Sequence, residues 1–136
     1  MKRTYPVLIR RTGRKYLLVE APDFENAMTQ GEDLTDAIDM AEDLLGMWCM
    51  DYAEKGKPLP APSELSAVEA LKQSADDIVT LVNIDAEAYR RAYDSRAVKK
   101  NCTIPSWLNA AAEKAGVNFS AVLQEGLKRE LNLETN

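Results

Sequence analysis

The sequence predicts an α+β fold in two parts: an N-terminal β-β-β-α-β unit, then a C-terminal β-α-α module that needs a second copy of the chain to complete it. Three observations predict this. Two β-rich runs flank a glycine-bearing turn within residues 5–19; an apolar period of three and four residues runs from Leu34 to Tyr52; and beyond Val98 an alternating run leads through Pro105 into two short helical patterns.

The first run is Tyr5-Pro6-Val7-Leu8-Ile9 and the second Tyr16-Leu17-Leu18-Val19, with Gly13 in the turn between them, so a hairpin is predicted. Pro6 lacks a backbone donor, which places its strand at an edge or turns the missing bond toward solvent. After Ala21-Pro22-Asp23, the piece Ala27-Met28-Thr29-Gln30 reads as a third short strand ended by Gly31. The helix follows, with Leu34, Ala37, Ile38, Ala41, Leu44, Leu45, Trp48 and Tyr52 on one face, and Met47 on or near it. Asp33 is its N-cap, and Asp36 puts negative charge at the positive end of the helix dipole. Gly56 and Pro58 stop it, and Pro58, Pro60 and Pro62 make a stiff connector. Ser63 is placed to cap a short helix through Leu71, and the β-branched run Ile78 to Ile84 is long enough for a buried strand. Asp85 caps a helix from Ala86 to about Tyr93. The predicted domains are residues 1–84, a helical linker over 85–97, and the tail module over 98–136.

In the tail, Cys102 and Ile104 alternate with Lys99, Asn101 and Thr103, so the strand has an apolar face and a polar face. Pro105 opens a helix, where its missing N–H costs nothing, and Gly116 closes it after Leu108, Ala111, Ala112 and Ala115. Asn118 caps a second helix carrying Val122, Leu123, Leu127 and Leu131. One strand and two short helices cannot bury this much apolar surface, and a lone strand leaves its backbone unpaired. Two copies solve both problems by pairing strands antiparallel over a shared four-helix core of Cys102, Ile104, Leu108, Val122, Leu123 and Leu127. Lys99, Asn101 and Thr103 are then presented twice on one surface, in the geometry by which a two-stranded ribbon enters the DNA major groove. There lysine donates to guanine and asparagine bonds adenine. Thr103 is the weakest of the three, since threonine also simply favours β structure.

The net charge of −5 conceals a segregation: residues 1–19 hold six Lys/Arg and no acid, residues 20–95 hold 18 Asp/Glu against five Lys/Arg, and residues 96–136 hold six Lys/Arg against four Glu. Such polarity suits one basic and one anionic partner, although charge runs are as often solvated faces. The basic residues that break the first 14 positions argue against a signal peptide, and no apolar run reaches membrane-spanning length, so the chain is expected in the cytosol. Cys49 and Cys102, without histidine, assemble neither a disulfide framework nor a usual zinc site and read as small apolar residues. Asp36, Asp39, Glu42 and Asp43 read as a solvated helix face rather than a metal set, and no cofactor is expected.

The segment VKKNCTIPSWLNAAAEKAGVNFSAVLQEGLKREL resembles a ribbon-helix-helix module of the MetJ/Arc class, and the whole chain, over roughly residues 4–131, resembles a HicB antitoxin. The N-terminal part of that resemblance is YPVLI, the second strand, and APDFENAMTQGEDLTDAIDMAEDLL; where the family has a proline-glycine turn after its PD pair, this chain has Phe24-Glu25-Asn26. The resemblance implies a partly formed RNase H-like N-terminal fold, no catalysis, a HicA-type messenger ribonuclease as partner, and operator binding through the tail. It makes Lys99, Asn101 and Thr103 the base-reading residues and Asn118-Phe119-Ser120 the phosphate clamp at a helix N-terminus.

Two other functions compete. An active RNase H-like nuclease needs carboxylates converging on two metal ions, and the strands offer only Glu20 and Asp23 near one strand end. A repressor whose N-terminal domain senses a ligand or mediates oligomerisation fits the residues too; a short basic protein in the adjacent reading frame separates it from an antitoxin.

Overall fold

A computed structural model describes residues 2–133; residue 1 and residues 134–136, the outer ends of the two expected domains, lie outside the described residues. The chain forms two compact units that divide between Arg96 and Ala97.

In the first unit, strands β1 (Lys2–Arg11), β2 (Leu17–Glu20), β3 (Met28–Gly31) and β4 (Ile78–Asp85) form one antiparallel sheet in the order β3-β2-β1-β4. Gly13 turns the first hairpin with φ +73, a backbone conformation that side chains disfavour. β1 is therefore interior, not the edge strand that Pro6 suggested. The proline is accommodated because β2 pairs β1 only over Leu8–Arg11, so at Pro6 the strand has β4 as its single neighbour, through Leu81.

Helix α1 (Leu34–Glu54) lies across one sheet face. The Asp33 carboxylate accepts from the Asp36 N–H at 2.8 Å, and Asp36 in turn accepts from the Glu32 N–H at 2.8 Å, so both acids satisfy helix-start donors. Ala37, Ala41, Leu45 and Cys49 are buried against Tyr5, Val7, Ile9, Val19, Val82 and Ile84. The buried stripe is narrower than the period predicted: Leu34 and Ile38 are exposed, and Met47 is 52% exposed rather than core. Small residues bring helix and sheet together at the other end of the stripe. A Cβ on Gly31 would stand 2.4 Å from the Ala37 backbone nitrogen.

Phe24 explains the loop that replaces the proline-glycine turn. Its ring enters the core, 5.0 Å from Tyr5 and 5.4 Å from Tyr52, while Asn26 takes φ +58, which asparagine tolerates better than most side chains. The Tyr5 hydroxyl donates to the Pro60 carbonyl at 2.8 Å, tying the connector to β1, and burial raises its pKa.

Ser63 does not cap the next helix. Its N–H and hydroxyl both donate to the Asp23 carboxylate, and α2 (Leu65–Glu69) begins after Glu64 without a side-chain cap. Val68 of α2 is buried on the sheet face opposite α1, where Pro6 and Leu8 are also buried. The run 78–84 is a strand, but an edge strand. Val82 and Ile84 reach the core while Leu81 is 51% exposed. Helix α3 (Ala86–Tyr93) is capped by Asp85, which accepts from the Ala88 N–H at 3.1 Å, and that bond lowers the Asp85 pKa. α3 packs on α1 through Tyr89, whose ring covers Gly46 and stacks at 4.4 Å on Tyr93. Arg96 closes the unit with bonds to Asp94 and Glu54, which hold the Asp94 carboxyl well below the usual carboxylate range.

The second unit holds α4 (Ser106–Lys114) and α5 (Phe119–Glu130). Residues 97–105 form no helix and pair with no strand of the same chain. Gly116 ends the α4 region with φ +70, and Asn118 caps α5 by accepting from the Ala121 N–H at 3.1 Å.

Candidate functional site

The second unit buries none of its helical side chains. Ile104, Leu108, Val122, Leu123 and Leu127 are all exposed, Val122 by 58% and Leu127 by 51%, and Cys102 is exposed as well. Cys102 is accordingly a small residue on a surface, whereas Cys49 is in the core with its thiol pKa raised by burial. The apolar residues are not scattered. Cys102, Ile104, Leu108, Val122 and Leu123 line a single open groove of about 680 Å³, with Val117 and Phe119 beside them. Contiguous exposed apolar surface of this kind is unfavourable in water and marks an interaction site.

Lys99, Asn101 and Thr103 are exposed and donate or accept no hydrogen bond within the chain among the described residues. Lys100, which points to the apolar side by alternation, lines the groove. At the start of α5 the Asn118 side chain serves Ala121, while the Phe119 and Ser120 N–H groups find no protein acceptor among the described residues. These are two free donors at the positive end of a helix dipole, an arrangement chemically suited to an oxyanion.

The first unit offers no comparable arrangement for metal chemistry. Glu20 pairs with Arg10 at 3.4 Å and Asp23 is held by Ser63; among the described residues no three His, Cys, Asp or Glu side chains converge as a metal site. The carboxylates of α1 instead spread along its outer side. Asp39, Glu42 and Asp43 border a shallow groove with Asp85 and Tyr89, and on the other side of the tyrosine pair Met47, Met50, Asp51 and Glu54 border a second. The tyrosine pair between them was legible as an i,i+4 couple, but the exposed Met47 was not, because helical period alone cannot say where the sheet beneath a helix ends. No helix among the described residues is long and apolar enough to cross a membrane.

Fold and site together define an α+β interaction protein: a sheet backed by one acidic helix, followed by a two-helix module with an uncovered apolar groove. The family model of the HicB_like antitoxin of bacterial toxin-antitoxin systems matches residues 5–125, and the chain belongs to that family. Among solved structures it is similar to one described as a toxin-antitoxin complex from Streptococcus pneumoniae, with 28% identity, TM-score 0.59, and coverage of 96% of this chain and 99% of that one. It is also similar to an antitoxin HicB3 crystal structure, at 25% identity and TM-score 0.53, covering 98% and 100% of the two chains. The antitoxin HicB of Burkholderia pseudomallei shares the fold at 20% identity and TM-score 0.55, over 95% and 96%. No curated protein sequence matches.

Proposed function

We propose that the chain neutralises a HicA-type messenger ribonuclease by binding it through residues 1–84, and represses its own operon by binding operator DNA as a dimer through residues 98–136. The N-terminal sheet and helix are read as a partly formed RNase H-like fold that acts by occlusion, its acidic α1 side covering the RNA-binding or catalytic surface of a basic partner. Family membership over nearly the whole chain and the likeness to a structure described as a toxin-antitoxin complex support the toxin half of this reading.

The observation that carries the DNA half is the tail: two capped helices with no buried side chain, preceded by a segment with alternating polar and apolar residues. A second copy supplies the missing strand and covers Cys102, Ile104, Leu108, Val122, Leu123 and Leu127. The paired ribbon then presents Lys99, Asn101 and Thr103 to base edges, and Asn118, Phe119 and Ser120 hold a phosphate.

The test is twofold. Co-expression with the small basic protein of the adjacent reading frame should restore growth, and the full chain should retard its own promoter fragment. Leu127→Asp should abolish retardation while growth rescue persists, because a buried carboxylate is incompatible with the shared core. Retardation unchanged by Leu127→Asp would remove the shared core; failure to bind the neighbouring protein would remove the toxin partner.

A further inference from the structure

We infer that the free edge of β4 is a second self-association site, at which the first units of two chains join their sheets by antiparallel pairing about Leu81. β4 is a terminal strand of the sheet, eight residues long, and among the described residues no backbone group of 78–84 bonds to any backbone outside β1. An open edge of that length is a template for another strand unless something guards it. The other edge is guarded: β3 is four residues long, ends at Gly31 packed against α1, and is followed by Glu32 and Asp33. β4 carries no lysine, no proline and no charge from Ile78 to Ile84, and its most outward apolar side chain, Leu81, is 51% exposed.

The occupant follows from charge and parity. Residues 20–95 hold 18 acids against five basic residues, yet this run holds none of either. A basic protein partner is drawn to acid-bearing faces such as α1, whereas a neutral strand meets its own copy without like-charge repulsion. Two sheets continued edge to edge about a two-fold axis must keep the faces of the sheet aligned, so each residue stands opposite one of the same face. Full overlap of Ile78–Ile84 then places Leu81 against Leu81, Val79 against Asn83 and Ile78 against Ile84 of the other copy. The exposed leucine sits at the centre of the neutral run. Asn83 does not oppose this, since its carbonyl oxygen already accepts from the Thr4 hydroxyl at 2.7 Å within its own sheet. Leu65 and Leu71, exposed at the two ends of the α2 region that packs beside β4, extend the apolar border of the edge.

The pairing does not depend on the tail; only the assembly of four chains, two joined at each kind of contact, rests on the tail dimer proposed above. The experiment is sedimentation equilibrium of the full chain and three variants. The wild type should have the mass of four chains. Leu81→Lys should halve it, leaving tail dimers, and Leu127→Asp should halve it too, leaving β4 dimers, while the double variant should be a single chain. A second measurement does not rely on a charge: Leu81→Cys combined with Cys102→Ser should form a covalent dimer on mild oxidation. Directly opposed antiparallel residues have Cα atoms about 4.5–5.5 Å apart, within disulfide reach. The inference is overturned if Leu81→Lys leaves the mass unchanged and the Leu81→Cys chain does not cross-link. If Leu127→Asp changes nothing but Leu81→Lys still halves the mass, the β4 contact stands and the tail dimer falls.

Discussion

The Tyr89 hydroxyl donates to Asp43 Oδ1 at 2.9 Å, across 46 residues of sequence, while the same tyrosine's ring lies over Gly46 one turn further along α1. A Cβ built on Gly46 would come within 2.3 Å of that ring and within 2.6 Å of its Cγ, close to the tyrosine's own backbone. The absent side chain is therefore what lets α3 lie against α1. Gly46→Ala should destabilise the first unit by about 1–3 kcal/mol through overpacking, even though alanine in a helix interior normally gains about 1 kcal/mol over glycine. Urea unfolding measures the sign. A stabilised variant would show that α3 is not packed on Gly46 in solution.

The same bond makes stability depend on alkaline pH. Partial burial first, and then the bond to Asp43 and its negative charge, push the Tyr89 phenol up to about 12. A folded-state value above the ordinary value of about 10 means that the unfolded chain releases this proton first. The contribution is thus complete below about pH 10 and is lost as pH rises toward 12. Tyr89→Phe should flatten the decline in unfolding free energy over this window. Equal slopes in wild type and variant would show that Tyr89 titrates at the same pH folded and unfolded.

What was legible in the sequence divides by range. Asp33, Asp85 and Asn118 were readable as caps because the donors they satisfy lie within three residues, and the glycines at 13, 56 and 116 because positive φ is a local demand. Ser63 was misread for the opposite reason: its partner Asp23 is 40 residues away, and a serine before a short helix looks like a cap whether or not it is one. The exposure of Leu81 and the interior place of β1 depend on strand order, which no single strand encodes. In the tail, the apolar residues were identifiable from their period, and their exposure in one chain is what a core divided between two chains leaves on each.

Under the operator-binding proposal, Asn101 and Lys99 should behave differently. Asn101→Ala should cost about 1–3 kcal/mol of discrimination at one base pair in each half-site and leave the salt dependence unaltered, because it removes a base contact. Lys99→Ala should also flatten the plot of log affinity against log salt, by about one unit for each phosphate it had neutralised. Titrations of the operator and of single-site operator variants at several salt concentrations separate the two. If neither substitution changes operator affinity, the ribbon does not face DNA.

Gly126 tests the covering of α5 most directly. In the single chain a Cβ at this position meets nothing within 4 Å, so helix propensity alone predicts that Gly126→Ala stabilises the module by about 1 kcal/mol. Yet Gly126 is four residues from Val122, three from Leu123 and adjacent to Leu127, on the stripe that a second copy would cover. Shared cores pack at interior density, where one additional carbon typically costs about 1–3 kcal/mol. The expected result is a more helical but less associated protein: at low concentration Gly126→Ala should dissociate before the wild type does, by roughly tenfold in concentration if the cost is about 1.4 kcal/mol. Unfolding midpoints measured across a dilution series show this as a crossing of the two curves. A variant more stable at every concentration would mean that the α5 stripe faces water, and with it the argument for a divided core would be lost.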